Sequence, residues 1–210
     1  SAARQVARVI SVVVIPARFA SSRLHGKALV EIAGMPMVVH VAQRAQQSGA
    51  AEVWIATDDE RILHAARAHG CEAMMTRADH ASGTDRIAEV AGDLACDILV
   101  NVQGDLPLIE PGMIAEVLEP LVADASITMS TLRQVASDPA EIGSPHEVKV
   151  VVDDRGDALY FSRSPIPFVR DAGSGPAEAG RYGRTDVVSG SSRTYKHIGL
   201  YGFRRDFLLT

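Results

Sequence analysis

The sequence predicts an α/β protein with a doubly wound, mostly parallel, Rossmann-like sheet and a smaller mixed β lobe. Residues 9–15 form an almost continuous β-branched run, as expected of a strand that is buried on both faces. Strand and helix patterns then alternate as far as about residue 124, which indicates parallel βαβ units. From residue 125 onward short strand patterns dominate, and these predict the lobe.

Each predicted element has a local signal. Pro36 suits the first turn of a helix over 36–48, and Gly49 suits the residue that ends it. Asp58 or Asp59 can cap a helix that runs to His69. The Gly-, Ser- and Pro-rich residues 164–193 predict a long functional loop or a mobile arm. The other predicted strands are 52–57, 71–75, 97–103, 126–132, 147–152, 159–162 and 195–203, and the other predicted helices are 82–94 and 111–122.

Composition narrows the class of protein without giving its function. The 210 residues carry 21 Lys and Arg against 26 Asp and Glu, a net charge of −5, which argues against nonspecific nucleic-acid binding. No apolar run has the length of a membrane span, and we expect no signal peptide, because the apolar residues 9–15 are too short for one and run directly into Pro16. Cys71 and Cys96 form no CxxC pair, as is usual in a reduced compartment. We therefore expect a cytoplasmic protein with neither nucleic-acid nor membrane partners.

A basic loop follows the first strand, where open α/β sheets bind ligands. Arg18, Arg23 and Lys27 lie within ten positions, with the Ser22 hydroxyl and the flexible Gly26 between them. Fixed cations and backbone N–H groups are what a triphosphate needs. The loop matches neither GxxxxGK[ST] nor GxGxxG. From charge spacing alone, a solvated basic loop remains the alternative.

Two further segments point to the same edge of the sheet. Asp105 follows Gln103-Gly104 at the end of a buried strand, where a carboxylate can hold Mg²⁺ between phosphates. Ser82 and Gly83 begin a helix, whose free N–H groups can bind a carbonyl oxygen or an anion. A turn aspartate and a plain helix cap are the respective alternatives.

Later in the chain, Arg163 ends a strand with a guanidinium that can grip a carboxylate. His197 and Tyr201 share one face of a predicted strand by their period of two. A simple surface face is equally compatible with this alternation.

Together these segments resemble the bacterial 3-deoxy-manno-octulosonate (KDO) cytidylyltransferases, or CMP-KDO synthetases, a family of nucleotidyltransferases. The resemblance covers residues 12–207. It depends on Ile15-Pro-Ala-Arg-Phe-Ala-Ser-Ser-Arg-Leu-His-Gly-Lys27, Ile55-Ala-Thr-Asp58, Met75-Thr-Arg-Ala-Asp-His-Ala-Ser-Gly-Thr84, Val100-Asn-Val-Gln-Gly-Asp105, Ala158-Leu-Tyr-Phe-Ser-Arg163 and His197-Ile-Gly-Leu-Tyr-Gly202.

The resemblance implies that CTP and KDO give CMP-KDO and pyrophosphate, with Mg²⁺ as cofactor, for lipopolysaccharide biosynthesis. It implies one nucleotidyltransferase domain over 1–210, with a nucleotide-binding part (1–124) and a sugar-binding and dimerisation lobe (125–210) in a homodimer. The implied roles are catalysis for Arg18, Lys27 and Asp105, metal binding for Asp105, nucleotide binding for Ala17, Arg18, Ser22, Arg23, Lys27, Ser82, Gly83, Gln103 and Asp105, and substrate binding for Gln103, Arg163, His197 and Tyr201.

The chain departs from the family pattern at three positions. His25 and Ala28 stand where prolines are usual, and Leu106 stands where glutamate is usual. The resemblance also predicts a C-terminal tail beyond residue 210, with a second metal-binding aspartate. The alternative functions are a cytidylyltransferase for another sugar acid, such as sialic acid or amino-KDO, and a non-catalytic nucleotide-binding protein.

Overall fold

The structure is a computed structural model and describes residues 9–20, 24–136, 138–167 and 194–210. The described residues form two compact units. The first contains the residues up to Leu132 together with Gly199–Thr210, and the second contains Arg133–Ile198. Most of the predicted arm at 164–193 lies outside the described residues. The predicted division of roles at residue 124 stays a prediction.

In the first unit, strands and helices alternate along the chain as predicted. Ile15 and Ile55, on two neighbouring strands, are fully buried, which accounts for the apolar runs in the sequence. The elements are β1 (Ser11–Ala17), β2 (Glu31–Ile32), β3 (Met35–Pro36), α1 (Met37–Ala45), β4 (Glu52–Thr57), α2 (Glu60–Ala68), β5 (Glu72–Met75), α3 (Gly83–Asp93), β6 (Ile98–Asn101) and α4 (Pro111–Ala123).

The remaining elements follow in the order β7 (Met129–Val135), α5 (Pro139–Gly143), β8 (Lys149–Val152), β9 (Ala158–Ser162), β10 (Tyr195–Arg204) and α6 (Arg205–Leu208). β10 contributes its first residues to the second unit and its last residues to the first. In the second unit, β8 pairs antiparallel with β9, and Tyr195 and Lys196 of β10 pair antiparallel with β8.

The central sheet confirms the predicted α/β fold. Its order in the first unit is β5-β4-β1-β6-β10. The first four strands are parallel, and β10 pairs antiparallel with β6. Parallel strands present their carboxyl ends at one edge, so the segments after β1, β4, β5 and β6 meet there. In the described residues, no helix is both long and apolar enough to cross a membrane.

Several predicted boundaries were wrong. The strand predicted over 97–103 spans only Ile98–Asn101, because the following residues turn towards the end of β1. The strand predicted over 126–132 begins at Met129 and continues to Val135, since Asp124 and Ser126 form a turn closed by their side chains. Short α5 and α6 were not predicted, because five and four residues carry too little helical periodicity.

Candidate nucleotide site

Five of the predicted nucleotide-binding residues line one pocket at the carboxyl edge of the sheet. The pocket has a volume of about 180 Å³ and lies entirely within the first unit. Its lining residues are Pro16, Ala17, Arg18, His80, Ala81, Ser82, Gly83, Arg86 and Gln103. The geometry thus brings together three segments that are far apart in the sequence.

The end of β1 forms one wall of this pocket. Ala17 is buried, whereas the Arg18 side chain is exposed. Gly104 lets the turn after β6 approach this wall, because a Cβ atom at that position would lie 3.0 Å from the Pro16 carbonyl oxygen. A larger residue would displace Gln103, and with it the pocket.

Lys27 and Asp105, the predicted phosphate and metal ligands, contact each other directly. Lys27 Nζ lies 2.6 Å from Asp105 Oδ2, and the side chains are 39 % and 48 % exposed. An exposed pair of this kind is weak, because water screens both charges. Both groups are therefore available to a more highly charged ligand.

The loop that carries Lys27 is fastened without the prolines that the family pattern would supply. Gly26 donates its backbone N–H to the Phe19 carbonyl oxygen at 2.9 Å. Gly26 has φ +69°, and a Cβ atom there would lie 2.9 Å from the Phe19 ring. The Arg61 guanidinium lies 3.4 Å above the centre of the same ring. Phe19 thus packs between Gly26 and Arg61 and holds the base of the loop.

The start of α3 is both a cap and part of the pocket. Ser82 Oγ accepts the Asp85 backbone N–H at 3.1 Å, and Asp85 Oδ2 accepts the Ser82 backbone N–H at 2.9 Å. This capping box fixes the direction of the first turn. Ser82 and Gly83 also line the pocket. The same residues can therefore serve as the helix cap and as part of the binding site.

Arg86, which is not among the predicted site residues, lines the same pocket and is only 3 % exposed. Its Nη2 donates to Asp58 Oδ2 at 2.7 Å, and its Nη1 contacts Thr76 Oγ1. Arg86 shares the buried face of α3 with Ile87 and Val90. A cation in such an apolar pattern signals a buried ion pair, and this signal was present in the sequence.

His80 is a second pocket residue that the sequence did not single out. Its Nε2 contacts Glu89 Oε2, and the side chains are 10 % and 32 % exposed. This hydrogen bond from His80 is the main cause that lowers the pKa of Glu89. Glu89 also accepts the Arg77 backbone N–H at 3.1 Å, so it anchors the loop before α3.

The predicted sugar-acid residues lie in both units. In the second unit, Arg163 is exposed and its Nη1 donates to the Pro145 carbonyl oxygen at 2.8 Å. The His197 ring packs edge-on against Phe161 at 4.9 Å, and burial lowers the pKa of His197. In the first unit, burial raises the pKa of Tyr201. The predicted ligands Ser22 and Arg23 lie outside the described residues.

A nucleotidyltransferase is the class that fits this fold and this pocket. The sequence profile of the family described as Cytidylyltransferase matches residues 12–209. The chain belongs to this cytidylyltransferase family.

Individual relatives narrow the similarity. The chain is 54 % identical to the 3-deoxy-manno-octulosonate cytidylyltransferase of Geobacter metallireducens, over 93 % of this chain and 75 % of the relative. It is 49 % identical to the enzyme of the same name from Geobacter sulfurreducens, over 93 % and 76 %. The chain thus spans about three quarters of these relatives' length.

Solved structures agree with this similarity. A CMP:2-keto-3-deoxy-manno-octonic acid synthetase complexed with CTP matches with a TM-score of 0.81 and 46 % identity, over 95 % of this chain and 76 % of that chain. The 4-diphosphocytidyl-2C-methyl-D-erythritol synthase of Anaerococcus prevotii matches with a TM-score of 0.56, 10 % identity and coverage of 96 % and 72 %. This second likeness concerns the fold alone.

Proposed function

We propose that this chain transfers CMP from CTP to KDO and releases pyrophosphate, as a step in lipopolysaccharide biosynthesis. The observation that carries the proposal is a pocket at the carboxyl edge, which joins the end of β1, the start of α3 and Gln103. The names of relatives at about half identity favour KDO over other sugar acids. They also favour turnover over mere nucleotide binding.

The proposed reaction is an in-line displacement. The anomeric 2-hydroxyl oxygen of KDO attacks the α-phosphorus and loses its proton to solvent, while the bond from that phosphorus to the oxygen bridging to the β-phosphate breaks and pyrophosphate leaves. Such a reaction needs positioning and charge stabilisation rather than a covalent intermediate. We assign Arg18, Arg23 and Lys27, with the Ser22 hydroxyl, to the phosphates. Ala17, Ser82, Gly83 and Gln103 are assigned to the nucleoside.

Asp105 suits a magnesium site that the substrate completes. Its carboxylate is exposed in the turn that follows β6. Mg²⁺ is commonly held by one or two carboxylates plus phosphate oxygens. Among the described residues, no three His, Cys, Asp or Glu side chains cluster as a metal cage. When bound, Mg²⁺ would neutralise phosphate charge. Asp105 and Lys27 would then separate, because their exposed pair is weak, and each would contact the metal or the phosphates.

The sugar acid is assigned to Arg163, His197, Tyr201 and Gln103. Arg163 Nη1 donates to the Pro145 carbonyl oxygen. The remaining N–H groups of the guanidinium can donate to a carboxylate. A His197 whose pKa is lowered by burial is neutral at pH 7. It can therefore hydrogen-bond a sugar hydroxyl without repelling Arg163.

One assay separates the candidate functions. We expect pyrophosphate release with CTP, KDO and Mg²⁺, and little release when UTP, ATP or GTP replaces CTP or when N-acetylneuraminate replaces KDO. Release with N-acetylneuraminate instead would identify another sugar-acid enzyme. Binding of CTP without release would identify a nucleotide-binding protein and refute the proposed turnover.

A homodimer is also proposed, by analogy with the family and from the surface of β9. Leu159 and Tyr160 are 66 % and 64 % exposed on this edge strand, and exposed apolar edges favour pairing. Sedimentation analysis should give twice the chain mass for the protein and a monomer for Leu159→Lys. A monomeric unmodified protein would contradict the dimer.

A cytoplasmic location is proposed as well. Cys71 and Cys96 are free thiols in the structure, as is usual in a reducing compartment. Fractionation of cells that produce the protein should place it with cytoplasmic markers. Recovery with periplasmic markers would contradict this location.

A further inference from the structure

We infer that the ion pair of Asp58 and Arg86 positions the walls of the nucleotide pocket, so that CTP affinity depends on a pair outside the predicted ligand set. This inference rests on the proposed function. Arg86 Nη2 and Asp58 Oδ2 are 2.7 Å apart, and the side chains are 4 % and 14 % exposed. Unlike the exposed pair of Lys27 and Asp105, this pair is shielded from bulk water.

Arg86 joins α3 to the loop that precedes it. Besides Asp58, its guanidinium donates to Thr76 Oγ1 and, at 3.2 Å, to the Arg77 carbonyl oxygen. Thr76 is itself fixed to β4, because its backbone N–H and its Oγ1 both donate to the Thr57 carbonyl oxygen at 2.8 and 3.1 Å. The planar guanidinium thus sets the distance between α3 and the ends of two strands.

Asp58 extends the same network to the end of β1. Its second oxygen, Oδ1, accepts the Phe19 backbone N–H at 3.4 Å. Phe19 follows Arg18 directly and holds Gly26 at the base of the Lys27 loop. One carboxylate therefore links the phosphate-side loop to the helix that carries Ser82 and Gly83.

Stability alone does not explain a buried pair at this place. Removing two charges from water costs free energy, and apolar residues of similar volume often stabilise a fold as well or better. A charged pair supplies what apolar residues do not, namely donors and acceptors in fixed directions. Since those directions join α3, which carries Ser82 and Gly83, to the backbone of Phe19 directly after Arg18, we assign the pair a positioning role.

The test compares Asp58→Asn and Arg86→Lys with Asp79→Asn. Asp79 pairs with Arg77 on the same loop, but these side chains are 71 % and 69 % exposed, so its variant is a matched control for lost charge. We would measure the dissociation constant for CTP by calorimetry without KDO, both KM values, and the melting temperature. The control should resemble the unmodified protein.

We expect Asp58→Asn and Arg86→Lys to weaken CTP binding and raise the KM for CTP by about 10- to 100-fold, as displaced contacts in a binding site do. The KM for KDO should stay within about twofold. Asp58→Leu/Arg86→Met keeps the test decisive if a single variant unfolds, because apolar residues that replace both members of a buried ion pair are often tolerated. This folded double variant should still bind CTP weakly.

Two results would overturn the positioning role. One is unchanged CTP affinity in any of these folded variants. The other is a fall in apparent kcat that follows the loss of melting temperature while both KM values stay unchanged, as a purely structural pair would produce. An unmodified protein that binds no CTP would instead refute the proposed function itself, so the two failures are distinguishable.

Discussion

The amino and carboxyl edges of the sheet in the first unit both carry arginines and a cavity. Within the described residues, only the carboxyl edge has weakly engaged cationic side chains that could bind an anionic ligand. The cavity at the amino edge is the larger, at about 430 Å³ against about 180 Å³ at the carboxyl edge. It is lined by Cys96, Asp97, Thr128, Arg204, Arg205, Asp206, Phe207 and Thr210. Size therefore does not identify the site.

The difference lies in how the cations are used. At the amino edge, Arg204 donates to the carbonyl oxygens of Leu121 and Asp124 at 2.5 and 2.9 Å and to that of Ile127 at 2.8 Å. Arg205 donates to the Ala91 carbonyl oxygen at the end of α3. These donors satisfy the last carbonyls of two helices, a structural task.

At the carboxyl edge Arg86 is buried in an ion pair, but two other cations remain available. Arg18 is exposed, and Lys27 has only the exposed partner Asp105 among the described residues. Charges that are weakly engaged can bind a triphosphate without first breaking the fold. The comparison teaches that free donors, rather than cavity volume, mark the functional edge.

The sharpest test of this comparison is Asp105→Asn at the carboxyl edge. We expect turnover to fall by about 10²- to 10³-fold, the loss typical when one electrostatic contact to a transition state is removed. The melting temperature should be unchanged, because the exposed pair contributes at most about 1 kcal/mol. Pyrophosphate release and thermal unfolding measure the two effects. Asp154→Asn, at an exposed turn, is the control, and near-normal turnover in Asp105→Asn would disprove the metal assignment.

Arg163 in the second unit is intermediate between an engaged and an available cation. Its Nη1 donates to the Pro145 carbonyl oxygen, and its other N–H groups can bind a ligand. Arg163→Ala should raise the KM for KDO by about 10- to 100-fold, through the loss of a charge-assisted bond of about 1.5–3 kcal/mol. The KM for CTP should not change. Arg155→Ala is the matched control at an exposed turn. An effect on CTP alone would move Arg163 to the nucleotide site.

Arg204→Ala tests the structural edge. It removes the side-chain donor from three carbonyl oxygens, of which that of Asp124 keeps the Ile127 backbone N–H, so we expect the free energy of unfolding to fall by about 2–3 kcal/mol. Chemical denaturation measures this loss, and kcat/KM for CTP should stay within about twofold in the folded protein. Arg204→Lys should lose less, because it keeps the charge near the helix end. A variant of normal stability with impaired turnover would reverse the comparison.

The smallest effect concerns Cys96 at the amino edge. Burial is the main cause that raises the pKa of this thiol to about 11, so its thiolate is scarce at neutral pH. Alkylation at pH 7.5 should be at least about 100-fold slower than for a free cysteine thiol, and it should accelerate as the pH rises towards 11. Mass spectrometry of the modified protein gives the rate, with Cys96→Ser as control. Alkylation at the rate of a free thiol would show that this edge is open.

Much of the fold could be predicted from local pattern. The strand at Glu52–Thr57 was predicted with its observed bounds, and α4 differs from its prediction by one residue, because buried parallel strands and amphipathic helices leave strong periodicities. Ser82 as the cap of α3 was also predicted, since capping depends on side chains three residues apart. The short α5 and α6 gave no comparable signal.

The pocket could be predicted only in part. Gln103 and the start of α3 at Ser82 were proposed from their places at the end of a strand and the beginning of a helix, whereas Ala17 was proposed only from the family resemblance. Arg86 and His80 were not, because their partners Asp58 and Glu89 are chosen by packing rather than by spacing. A charged residue on an apolar helix face predicts that a buried partner exists, but the pattern does not identify that partner.

The sequence by itself determined the α/β alternation, the edge of the sheet where a ligand is expected and the resemblance to KDO cytidylyltransferases, because these depend on neighbours in the chain. Only the tertiary structure decided that Lys27 pairs with Asp105 and that Arg86 ties Asp58 to Thr76. It also decided that Arg204, an equally cationic residue, is engaged by carbonyls. The physical reason is that a charged group's role depends on its burial and its partners, and both are set by residues distant in the chain.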